Sequence, residues 1–133
     1  MNEDIKLEYM HLCDYASPAI NNKINIIGIF DNFIISKESM FFDFFIALRL
    51  SVKNKGKYTI TFDIQSSKNA DKIQFENKPI EIPENLNLLN FNILKQIKNL
   101  SFRESGYYKF IVLVNNLPVG YKELEVKLLE VKN

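Results

Sequence analysis

The sequence predicts an all-β protein, an immunoglobulin-like antiparallel β-sandwich of about eight strands filling residues 1–133 as one domain. Three observations lead there. Apolar residues recur with period two over most of the 133 residues, which is the strand period. Turn signals return every 8–12 residues, the spacing of a sandwich. The stretch "ESGYYKF" has the layout of a tyrosine corner, in which a hydroxyl bonds backbone where the chain passes between sheets.

The strands come in order along the chain. In the first, Ile5, Leu7, Tyr9, His11, Cys13 and Tyr15 share one face, which we expect to be the core face, with Met10 and Leu12 on the other. "SPAINN" reads as a loop, because Pro18 and two asparagines break the alternation. The second strand is "KINIIGIFD"; Gly28 inside it marks a bulge or a close backbone approach. In "FFDFFIALRLSV", Phe42, Phe44, Ile46, Leu48 and Leu50 face inward, leaving Phe41 and Phe45 outward with Asp43 and Arg49. "KYTITFDIQS" alternates cleanly, with Tyr58, Ile60, Phe62 and Ile64 inward. "KIQFENKPIEI" is a weak edge strand, since Pro79 removes a backbone donor. "LNLLNFNIL" is a sixth strand. The adjoining "LKQIKNL" reads as a short helical turn, because Ile93, Ile97 and Leu100 have helical spacing. In "GYYKFIVLV", Tyr108, Phe110, Val112 and Val114 face inward, with Tyr108 as the corner residue. "NNLP" then turns the chain into the last strand, asparagine tolerating the left-handed conformation that tight hairpins need.

Composition narrows the function classes. A hydrophobic fraction of 47% with 25% charged residues is ordinary for a globular protein. A net charge of +1 and only two arginines, Arg49 and Arg103, speak against nucleic acid as a partner, since such proteins neutralise phosphates with a basic surplus. No segment approaches the roughly 20 apolar residues of a membrane helix. The opening "MNEDIKLEYM" lacks the pattern of a signal peptide. The single cysteine rules out an internal disulfide. We therefore expect a cytoplasmic protein without a membrane partner.

The chemistry-bearing residues are few. "YMHLCDY" holds the one histidine and the one cysteine. A metal site needs three or four ligands, and a cysteine nucleophile needs a placed base. His11 and Cys13 sit among apolar residues of one strand face, so we read them as core. No catalytic, cofactor-binding or metal-ligating set emerges. Asp14, Asp31 and Asn32 form a candidate rim site for a small ligand or metal, with the alternative that each aspartate ends a strand and bonds turn backbone. Phe41 and Phe45 are candidate interface residues.

Read in order, "LCDYA", "KINIIGIFDN", "ENKPIEIP" and "FRESGYYKFIVLVNNLPVG" resemble a widespread family of small bacterial β-sandwich proteins of unknown function. Its members carry "CDYA", then "NIIGIFDN", then a "GxYxFxVxV" strand. This sequence departs from that pattern at Asn116, where glycine is usual, and at Ser105, where proline is usual. The resemblance implies a sandwich fold and no particular activity. The expected function is a non-enzymatic protein-interaction or structural module with a protein partner or self-association. The alternative is a small-ligand or metal-binding protein, an enzyme among the options, using Asp14 and Asp31.

Overall fold

The computed structural model describes residues 4–35, 41–84 and 89–129. Within them the period-two pattern becomes nine strands: β1 (Ile5–Ala19), β2 (Lys23–Phe30), β3 (Asn32–Ile35), β4 (Phe41–Val52), β5 (Tyr58–Ser66), β6 (Ile80–Ile82), β7 (Asn90–Ser101), β8 (Gly106–Val114) and β9 (Leu117–Leu128). They form two sheets: sheet A, ordered β2-β1-β4-β7, and sheet B, ordered β3-β9-β8-β5-β6. Their inner faces make an immunoglobulin-like sandwich. Nine strands stand where about eight were expected, because the chain changes sheets at Asp31 and adds β3 in parallel to β9. No helix among the described residues is long and apolar enough to cross a membrane.

Inward residues keep the expected parity in β4, β5 and β8: Phe44, Ile46, Leu48, Leu50, Phe62, Phe110 and Val112 are all buried. At one end, aromatic rings connect the two sheets. Phe33 stacks on Phe42 at 4.7 Å and on Phe30 at 4.4 Å, and Phe102 lies 4.8 Å from Tyr108. The β8–β9 hairpin turns through Asn115 and Asn116, both at positive φ, as that turn requires.

Four expectations change. In β1 the pairing with β4 slips by one residue between Leu7 and Tyr9. A one-residue slip sends every later side chain to the opposite face. Met10 and Leu12 therefore enter the core, while Tyr9 and His11 move to the outer face of sheet A. The segment "LKQIKNL" is strand rather than helix, continuous with β7. Residues Ser17, Pro18 and Ala19 are not loop but the end of β1, paired with Asn25, Ile24 and Lys23. The weak fifth strand shrinks to β6. Upstream of it, Asn77 brackets the open edge of β5, accepting from Phe62 N at 3.3 Å and donating to Phe62 O at 2.7 Å.

The β1–β2 hairpin beyond Cys13 forms an arm that folds back over the outer face of sheet A. Pairing between β1 and β4 stops at Cys13 and Phe45. From there an arm running straight on would leave the sheet. Instead Asn22 at its tip accepts a 2.7 Å hydrogen bond from Asn92 Nδ2, level with Arg49 and Tyr9. Ala16, Ile24 and Ile26 of the arm pack on Cys13, Ala47, Phe45 and Leu94. Gly28 sits at the bend with φ 71°, and the Asp14 side chain lies directly against it.

Candidate functional site

An open groove of about 680 Å³ lies at the corner end of the sandwich. One wall comes from β7 and the chain after it. Lys98 and Asn99 together oppose Asp43, a bulge held by the 2.8 Å bond from Asn99 N to Asp43 Oδ1, with Asn99 at φ 55°. The bulge turns Asn99 and Ser101 toward the groove. Phe102 then plunges into the core, which throws Arg103 and Glu104 out onto the rim. Tyr108 fixes this corner: its ring is buried, and its hydroxyl donates to Glu104 O at 2.7 Å. The tyrosine corner expected from "ESGYYKF" is thus present. Burial pushes the Tyr108 phenol up, partly offset by its bond to the Glu104 carbonyl.

The other wall is the stretch after β5. Ser66 N bonds Asp71 O at 2.9 Å, and Ile73 N bonds Ile64 O at 2.8 Å, so residues 71–74 run beside the sheet edge. They present Asp71, Lys72, Ile73 and Gln74, with Ser66 below them. Lys72 also pairs with Asp63 at 3.5 Å. Phe41, 67% exposed, stands at the lip. The lining therefore offers hydroxyls and amides, both signs of charge, and one exposed aromatic ring, and it contains neither histidine nor cysteine.

The residues singled out in the sequence do not come together in one place. Phe41 lines the groove. Phe45 lies half-buried under the arm, edge-on to Tyr15 at 5.3 Å. Asp14 is not at a strand end but inside β1, at the bend. Asp31 marks the crossover between sheets; its carbonyl accepts from Glu125 N at 3.0 Å and its carboxylate from Asn32 Nδ2 at 2.9 Å. Among the described residues no three His, Cys, Asp or Glu side chains are grouped closely enough to hold a metal ion. Cys13 is fully buried, though beneath the arm rather than between the sheets. Its Sγ lies 3.6 Å from Phe45 O, and burial, then the Asp14 charge, pushes its thiol up. The groove residues Asn99, Arg103, Asp71 and Gln74 were invisible as a set in the sequence, because turns and a bulge bring them together rather than a motif.

None of the curated proteins compared with the chain matches it. Among solved structures, the fold is similar to an alkylpurine DNA glycosylase of Pseudomonas fluorescens, AlkC, solved bound to DNA with an abasic-site analogue. The TM-score is 0.53 at 10% identity, covering 93% of this chain and 30% of that one. The chain thus spans under a third of that enzyme, and at this identity the likeness is one of fold alone. An immunoglobulin-like protein of Pseudomonas aeruginosa aligns with TM-score 0.44 at 10% identity, over 92% of this chain and 96% of that one. Residues 8–127 match a family of unknown function, DUF6941, and the chain belongs to that family.

Proposed function

We propose that the protein is a non-enzymatic binding module that holds an extended segment of a partner protein in the corner groove. The observation that carries this reading is Phe41, an aromatic side chain 67% exposed at the lip of a 680 Å³ groove. Exposed aromatic and arginine side chains beside a concavity are the residue types that anchor interfaces. The remaining lining fits a peptide: Ser66, Gln74, Asn99 and Ser101 match the donors and acceptors of a main chain. Asp71 and Glu104 balance Lys72 and Arg103, so the groove selects no single charge.

The test is selection of a displayed random-peptide library on the immobilised protein, with counter-selection on Phe41→Asp. Because Phe41 is mostly exposed, that variant is expected to fold. Enriched peptides that bind the wild type and lose at least tenfold affinity for Phe41→Asp support the reading. Solution mass across concentrations runs alongside; a dimer that Phe41→Asp dissolves would make the partner a second copy. An exhaustive selection with no enrichment, on a strictly monomeric protein, would sink it.

A further inference from the structure

A second polar surface lies away from the groove, on the outer face of sheet A beyond the tip of the hairpin arm. Arg49 stands eight residues along β4 from Phe41, roughly 26 Å at the rise of a strand. Cross-strand pairing sets Tyr9 and Asn92 on either side of it, at a typical side-chain spacing of about 5 Å. His11 stacks on Tyr9 with ring centres 5.4 Å apart.

The hydrogen-bond accounting of this row leaves the guanidinium without a counter-charge. Asn92 Oδ1 accepts from the Tyr9 hydroxyl at 3.3 Å, and Asn92 Nδ2 donates to the carbonyl of Asn22. The nearby Glu8 carboxylate takes the Ser51 hydroxyl at 2.7 Å and Lys6 at 3.8 Å. Every ion pair found among the described residues uses a lysine, and none uses Arg49. Arg49 is nevertheless half-buried. A partly desolvated, permanently charged fork of five donors calls for an oxyanion.

We infer that Arg49, with His11 and Tyr9 beside it, forms a binding site for a small oxyanionic group, a phosphate or a carboxylate. Asn92 is a positioning residue: it ties Tyr9 to the arm tip and so fixes the wall of the site. The His11 ring supplies a donor from β1, the Tyr9 ring, its hydroxyl held by Asn92, forms the wall beside it, and three paired strands carry the site. This inference is independent of the peptide groove.

The single histidine of the chain makes the test direct. Inorganic phosphate and, separately, acetate are titrated into the protein at fixed pH and ionic strength while the His11 ring proton resonances are tracked by NMR. Saturable movement is expected with at least one of the two, and which one saturates tells phosphate from carboxylate. Arg49→Gln should weaken the response at least tenfold. Arg49→Lys should fall between, since it keeps the charge and loses the fork. Should Arg49→Gln fail to fold, Tyr9→Phe is the substitute variant, with a smaller loss of affinity expected. Movement with neither anion beyond that given by matched sodium chloride would overturn the site. So would an unchanged titration in Arg49→Gln.

Discussion

At the residue scale, Tyr108 carries the most information per atom. Its ring fills the corner against Phe102 and its hydroxyl satisfies the Glu104 carbonyl. Tyr108→Phe keeps the ring and leaves that acceptor without its partner. The expected loss is about 1 kcal/mol, the net worth of a hydrogen bond, because Glu104 stands on the exposed rim where water can replace the hydroxyl. Urea denaturation measures it, and an unshifted midpoint would show that the bond contributes nothing. Residues such as Tyr108 were legible in the sequence because a glycine, a tyrosine and an apolar run stand in fixed order. Arg49 was not. Its significance depends on which side chains cross-strand pairing sets around it, and a single strand does not reveal its neighbours.

At the scale of elements, two errors of sequence reading, in β1 and β7, share one physical cause. In β7, Ile93, Ile97 and Leu100 are all buried, and their spacing of four and three imitates a helix. Two strand steps separate Ile93 from Ile97, with half-buried Lys95 occupying the inward position between them. The bulge at Lys98 and Asn99 then lengthens the next interval from two residues to three. The slip at Glu8 in β1 likewise exchanges the faces of everything after it. Bulges add a residue without changing composition, so periodicity alone misplaces the residues beyond them. The hairpin arm depends instead on Gly28 at its bend. Gly28→Ala puts a Cβ about 2.7 Å from Asp14 Cγ in a backbone conformation that L side chains rarely adopt. Replacing a positive-φ glycine costs more than roughly 1 kcal/mol. The arm should loosen and uncover Cys13. In the wild type the thiol should react slowly with a thiol reagent until the protein unfolds. In Gly28→Ala native labelling should speed up several-fold, and equal rates in both proteins would contradict the cover assigned to the arm.

At the scale of the molecule, three groups tie stability to pH in the same direction. Burial raises the Cys13 thiol and the Tyr9 and Tyr108 phenols above their ordinary values; Arg49 partly offsets this at Tyr9. Each is an acid held neutral in the folded state. Its contribution is therefore whole below the ordinary ionisation range and is lost as pH rises through the raised value, because the unfolded chain releases its protons first. The denaturant midpoint should hold through neutral pH and fall in the alkaline range where thiols and then phenols ionise. Cys13→Ala should remove the earliest part of that fall, and a midpoint flat into strong alkali would refute the linkage.

The sandwich itself was readable because β4, β5 and β8 alternate without interruption, and those three strands supply much of the core. The groove was only half readable: Phe41 stood out as an aromatic on an outer face, while its companions come from a bulge, a corner and a loop. The measurement that most directly tests the groove as a binding site is NMR mapping of a peptide selected on the wild-type protein. Backbone amide shifts should concentrate at Ser66, Gln74, Asn99, Ser101 and Arg103, and Phe41→Ala should weaken binding at least tenfold. Shifts that map to another surface, with affinity indifferent to Phe41, would contradict the account.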